Sequence, residues 1–337
     1  MPTGRTAAEL QIYDPVLTMI ARQYVPMGFV YDQICPTIPV DVLSGQYPVF
    51  DERYFFGDDV DNKIADRGKT PEIELVWSTD TYMCEDYGLK ISITPRERQQ
   101  ARGPNGSTQN ALRLETSKTK QLITRMKLRR ERRLAALLRS TRNGGLITTD
   151  LAATAAFARS TTIETDWKAA KLRAYNLTGI APNVAVVPYE KAYDMATNAT
   201  LRDIWKYTLN ADAFMRIGSD ASGEDLFLPR VFQGTRLIVP KGALYQQGKE
   251  GAAKSLTDVW GSSVRFLYVD PDAAWGVPST AYQFSAPTII GMGAATGSGF
   301  VIDRWNENDP KVEYVRATEA VDEKICAPDT GVELTGV

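Results

Sequence analysis

The sequence predicts an α+β fold in which an N-terminal arm and a long two-stranded ribbon accompany a body built on one unusually long helix. Three observations predict it. Prolines at 15, 26, 36 and 39 interrupt the apolar residues of the first 44 positions, aromatic and β-branched runs at 46–56 and 81–93 flank a polar stretch from Gly57 to Thr70, and residues 107–142 show helix-period apolar positions with no Gly or Pro.

Pro15, Pro26, Pro36 and Pro39 block a long helix in the arm and favour extended chain lying along another surface. A buried extended strand of the same monomer satisfies the pattern equally well. In the ribbon, eleven acidic side chains between Asp51 and Asp86 face four basic ones, a net −7; Asp58, Asp59, Asp61, Lys63, Asp66 and Arg67 lie near its tip. An isolated ribbon of this kind is marginal in water unless something covers it.

In the long helix Leu112, Leu122, Ile123, Met126, Leu134, Leu137 and Leu138 recur near helical spacing, and Asn143-Gly144-Gly145 supplies a stop. At 1.5 Å per residue it would run about 50 Å. It holds eleven basic and two acidic side chains, a net +9, while the rest of the chain carries −11; Arg125, Arg129, Arg130, Arg132 and Arg133 form its densest stretch. A solvated helix face is one reading, and a nucleic-acid or acidic protein partner the other. Beyond it the pattern predicts a helix at 164–176, a turn at 179–183, a short buried strand at 184–187 and a helical region at 189–207. Strands follow at 236–239, 264–269, 281–285, 300–305, 312–317 and 320–325.

Composition narrows the function. The chain of 337 residues is 43% apolar with a formal charge of −2, so any pull on nucleic acid must be local. Histidine is absent, which removes the commonest general base and metal ligand near neutral pH. Cys35, Cys84 and Cys326 lack the spacing of a zinc or disulfide framework and point to a reducing compartment. The start of the chain lacks a signal peptide's apolar core, and no stretch of about 18 apolar residues occurs, so a soluble protein made in the cytosol, away from membranes, is expected.

Short motifs add little. Asp66-Arg-Gly-Lys-Thr70 resembles the end of a P-loop but has Lys63 where the first glycine belongs, and Gly291-Met-Gly293-Ala-Ala-Thr-Gly297 misplaces the third glycine of a dinucleotide fingerprint. Asp58, Asp59 and Asp61 lack the loop glycine and terminal glutamate of a calcium loop. No catalytic, cofactor or metal residues are assigned, and the chain is expected not to be an enzyme.

The order of parts and several phrases carry a resemblance. YVPMGFVYDQICP at 24–36 looks like the end of an N-terminal arm, YMCEDYG at 82–88 like the returning strand of an extended loop, and GIAPNVAVV at 179–187 with LRDIWKY at 201–207 like the opening of an axial domain. LPRVFQGTRLIV at 228–239 and FLYVDP at 266–271 look like its later strands. Together they resemble the Hong Kong 97-type major capsid proteins of tailed bacteriophages, over nearly the whole chain. The resemblance implies an arm (1–44), an extended loop (45–92), a peripheral domain (93–177 and 300–337) with its spine helix at about 107–142, and an axial domain (178–299). It implies a structural protein that assembles as hexamers and pentamers into an icosahedral head around double-stranded DNA, located in the virion capsid and assembled in the host bacterial cytoplasm. A portal and a decoration protein are implied partners. A separate scaffolding protein, or a removed prosegment, is implied by the absence of a long charged helical segment before the arm.

A cellular nanocompartment shell shares that fold, and a nucleic-acid-binding protein using helix 107–142 is a further alternative. The opposite charges of ribbon and helix lead to the expectation that one copy's Asp58, Asp59, Asp61, Lys63, Asp66 and Arg67 meet a neighbour's Arg125, Arg129, Arg130, Arg132 and Arg133. Reversing Arg129, Arg130, Arg132 and Arg133 to Glu should then abolish shells while leaving monomers folded.

Overall fold

A single fifteen-residue strand, Lys311–Ile325, organises the architecture. Along one edge it pairs antiparallel with Val301–Asn308 and then with Ala281–Ser285; along the other it pairs with Glu85–Ile93, so that Val315 lies between Arg304 and Ile91. The computed structural model describes residues 12–13, 28–57, 62–64, 66, 68–72, 78–102, 108–139, 147–153, 156–157, 161–205, 214–219, 225–246, 256–286, 300–309 and 311–337.

The long helix, Thr108–Arg139, packs across this sheet. Leu122, Ile123 and Met126 pack with Ile93, Phe300, Ile302, Val315 and Ala317, while Leu134, Ala135 and Leu138 join Val30, Tyr31, Ile34, Trp260 and Leu267. Each fully buried aliphatic or aromatic side chain contributes about 1.5–3 kcal/mol. The sequence pattern suggests two strands, 312–317 and 320–325, with a break at Thr318-Glu319. The chain instead runs straight through, because the Glu319 carboxylate is fully buried against Arg130 of the helix rather than solvated in a turn.

A second sheet runs in the order Val231–Phe232, Thr235–Ile238, Val184–Val186, Val264–Leu267, Val332–Thr335, Ile147–Ala152. Its core holds Trp167 and Ala170 from the helix Ile163–Thr178, and Ala192 and Met195 from the helix Tyr189–Thr197. The helical region expected at 189–207 divides at Asn198, whose backbone is extended and whose Oδ1 accepts from the Thr200 and Leu201 amides, starting a second helix, Ala199–Trp205. The sheets cross the expected domain limits. The helix Ile163–Thr178 and the strand Val332–Thr335, placed with the peripheral part from sequence, pack in the second sheet's core, and Ala281–Ser285, placed with the axial part, pairs with the long strand.

The ribbon is shorter than its sequence suggests. Ser44–Val49 pairs antiparallel with Ser78–Met83, but residues 52–56 form a helix, with the Tyr54 amide donating to Asp51 Oδ1, and Glu85–Ile93 belongs to the body sheet. Tyr47 and Tyr82 pack on Phe284 at ring separations of 5.3 and 4.7 Å and fix the ribbon's base. The arm's described part also lies on its own body. Tyr31–Ile34 is a short helix, Thr37–Pro39 pairs parallel to Ala281–Ser285, and Ile12–Tyr13 pairs with Asp303 and Arg304. At Gly28, φ is +96° and a Cβ would fall 1.4 Å from the Lys241 carbonyl oxygen, so only glycine fits this approach. Asp58, Asp59, Asp61, Arg67 and the 291–297 glycine motif lie outside the described residues.

The buried Arg130–Glu319 pair generates a stability prediction. Arg130→Ala or Glu319→Ala alone leaves a charge stranded in the core and should lower the unfolding free energy by about 3–5 kcal/mol. Replacing both with apolar residues of similar volume should cost far less, as read by denaturant unfolding.

Candidate interaction surface

Ten side chains of the helix Thr108–Arg139 are cationic, and the fold divides them into an inward and an outward set. Among the described residues, four make ion pairs within the chain. Lys118 bonds Glu97 at 2.7 Å, Lys127 lies 3.6 Å from Asp32, Arg130 bonds Glu319, and Arg133 forks onto Glu323 at 2.8 Å with Glu319 at 3.3 Å. The Arg130 guanidinium also sits 4.4 Å from the Phe300 ring centre. Burial opposes its charge, but Glu319, Tyr31 and Asp32 together offset this and hold Arg130 above its ordinary pKa.

Between these arginines Glu131 points inward too. It accepts from the Val30 and Tyr31 amides at 3.2 and 3.1 Å and from Trp260 Nε1 at 2.8 Å. One carboxylate therefore joins the arm, the helix and the loop beside the second sheet. Burial raises its pKa to about 7, with the three donors pulling the other way and Asp32 adding to the rise.

The outward set comprises Arg113, Lys120, Arg125, Arg129, Arg132 and Arg139, all exposed. They border two concave surfaces. One, about 710 Å³, is lined by Leu112, Arg113, Thr116, Lys120, Gln121 and Arg125 among others. The second, about 480 Å³, surrounds Ala136 with Arg129, Arg132, Arg133, Arg139, Tyr87 and Tyr245. At about 100° per residue the two centres lie about 130° apart around the helix.

Of the five arginines expected to meet a neighbour, Arg125, Arg129 and Arg132 are thus available at the surface. Arg130 and Arg133 are engaged inside the chain, because Glu319 and Glu323 on the long strand face them. On the ribbon, Lys63 and Asp66 are exposed. The fourfold arginine reversal is accordingly not a clean test of assembly, since a glutamate at 130 would be buried against Glu319. Sequence reasoning missed Glu131, Glu319 and Glu323.

Among the described residues no cluster of His, Cys, Asp or Glu could hold a metal ion, and no helix is long and apolar enough to cross a membrane. The three cysteines are buried and free; burial raises the Cys84 and Cys326 thiols to about 11 and about 12, which keeps them protonated.

No protein-family model matches the chain. It is 24% identical to the major capsid protein of Burkholderia phage BcepMu over 336 residues, 98% of each protein. Its fold is similar to that of a phage-related protein from Bordetella bronchiseptica RB50, with a TM-score of 0.63 at 17% identity over 97% of this chain and 98% of that one. It is also similar to the capsid structure of cyanophage P-SCSP1u, with a TM-score of 0.50 at 12% identity over 99% and 92%. The chain has the α+β capsid fold, and its resemblance to a phage major capsid protein runs from end to end.

Glu131 generates a pH prediction. Between its ordinary value of 4.5 and its folded value of about 7, the folded chain keeps a proton that the unfolded chain has released. Its contribution to stability therefore falls as pH rises through that window. The difference in unfolding free energy between the parent and Glu131→Gln should shrink by roughly 3 kcal/mol from pH 4.5 to 8; a constant difference would show that Glu131 does not titrate there.

Proposed function

We propose that this chain is the structural subunit of a phage head, assembling as hexamers and pentamers into an icosahedral shell that encloses double-stranded DNA. The observation that carries the reading is the full-length sequence match to a phage major capsid protein, joined to the capsid fold. The match is to a phage protein, which favours a DNA-filled head over a cellular nanocompartment. A separate scaffolding protein, a portal and a decoration protein belong to the same reading, as does assembly in the host cytoplasm.

The subunit's surface supports it. Val42, Leu43 and Met83 at the ribbon's base, with Phe56 and Ile64 further along, are large apolar side chains open to solvent, Met83 at 67%. Neighbouring copies would cover them. Of the helix's two concave surfaces, the one beside Leu112, itself 62% exposed, mixes apolar and cationic groups as a protein contact does. In the proposed shell a neighbour's acidic ribbon lies along this face, against Arg113 and Arg125.

Electron microscopy of the purified chain tests the reading: closed particles should appear. Arg113→Glu with Arg125→Glu should abolish them with an unchanged unfolding midpoint. A folded chain that forms no particles under any assembly condition, with or without co-expressed phage head proteins, would overturn it.

A further inference from the structure

We propose that the second concave surface, the hollow over Ala136, is a nucleic-acid backbone site: a receptor for the phosphodiester groups of DNA. This deepens the shell reading, and rests on it for the source of the DNA, but the site is built from this chain's own residues.

The hollow arises from helix geometry. Ala136 has almost no side chain, while Arg132 and Arg133 stand one turn before it, Arg139 one turn after it and Arg129 two turns before it. The result is a short-floored notch ringed by guanidinium groups. Two tyrosines from different strands wall it: Tyr87 from Glu85–Ile93, and Tyr245 from Leu244–Gln246.

The tyrosines also pre-orient the cations. The Arg132 guanidinium lies 3.9 Å from the Tyr245 ring centre, and that of Arg133 lies 3.9 Å from the Tyr87 ring centre. A stacked arginine keeps its in-plane N–H donors free for a bidentate anion and loses little conformational freedom on binding. Arg129 and Arg132 have no ion-pair partner among the described residues, and Arg139 lies near Asp258, which offsets part of its charge. Arg133 is neutralised from below by Glu323 and serves as the inner wall.

The chemistry of the lining selects the occupant. An apolar peptide would want large aliphatic contacts, yet Ala136 and Val259 are the aliphatic residues lining the hollow. Arginines beside half-buried tyrosines suit phosphates and the sugar–base edges next to them. From Arg129 to Arg139 the helix rises about 15 Å, a length of duplex axis over which each DNA strand carries roughly four phosphates. The hollow's centre lies about 130° around the helix from that of the other groove, so Arg113 and Lys120 point away from it.

The test uses the full chain, unassembled, and a short labelled DNA duplex, with binding read by fluorescence anisotropy across roughly 50 to 200 mM salt. Two double variants carry the same charge change: Arg129→Gln with Arg132→Gln in the hollow, and Arg113→Gln with Lys120→Gln in the other groove. The hollow variant should weaken binding at least about tenfold and flatten the slope of log affinity against log salt by about 2, one contact being worth about 0.9. The groove variant should bind like the parent. Equal losses in both variants would mean that net charge alone drives binding, and an unaffected hollow variant would mean that DNA sits elsewhere; either result overturns the site. Particle formation is scored separately by microscopy. Hollow variants that lose particles but keep DNA binding would reassign the hollow to a protein partner, whereas particles without hollow-dependent binding refute this inference and leave the shell reading standing.

Discussion

The structure depends on a row of carboxylates turned inward from one strand. Along Lys311–Ile325 every odd-numbered position from 313 onward is buried, so Glu313, Glu319 and Glu323 share the core-facing side with Val315, Ala317, Val321 and Ile325. Buried carboxylates are tolerated only when paired. The pairs come from elsewhere in the chain: Arg98 and Arg304 meet Glu313, Arg130 and Arg133 meet Glu319, and Arg133 meets Glu323. These contacts fix how the long helix lies on the sheet. A slip of one residue in the strand would turn the whole row to the other face and leave Arg130 unpaired in the core.

The helix is fixed to the rest of the molecule by the same means at its far end. Glu131 receives Trp260 Nε1, while the Trp260 carbonyl accepts from Arg265 at the centre of the second sheet, and Arg265 in turn pairs with Glu333 at 3.1 Å. This chain of contacts runs from the helix to the strand Val332–Thr335 of the second sheet. The Arg139 guanidinium lies over Gly261, where a Cβ would come within 2.0 Å of Nη2, so the loop after Trp260 stays close to the helix end. The two sheets are thereby held to one helix, and the arm's short helix Tyr31–Ile34 is held there by Glu131 as well.

Much of the fold was legible in the sequence where periodicity is strong and local. The 32-residue helix, the helix Ile163–Thr178, the buried strand Val184–Val186 and the strand Ala281–Ser285 fall close to their expected limits, because hydrophobic phase, caps and flanking glycines agree there. The helix Glu52–Phe56 was not legible, since its aromatic residues suit a strand equally well and only packing decides. The buried carboxylates could have been found. In 313–325 the glutamates at 313, 319 and 323 are in phase with Val315, Ala317, Val321 and Ile325, and an acid in phase with a core face signals a buried partner. The net charge count hid this, because it treated all eleven helix cations as one pool when, among the described residues, Lys118, Lys127, Arg130 and Arg133 are paired with residues on other elements.

That division of charge explains why the helix can serve assembly. Cations on an isolated helix move freely and gain little from an ion pair, because ordering two long side chains offsets most of the attraction. Here the inward arginines hold the helix rigid on the sheet, Arg133 itself resting on Tyr87, and the outward Arg132 inherits that rigidity by resting on Tyr245 from a separate strand. An anionic partner therefore meets guanidinium groups already in position and loses less entropy on docking. The inward glutamates thus act twice, first by holding the helix to the sheet and then by leaving the remaining positive charge on two rigid faces that point in different directions.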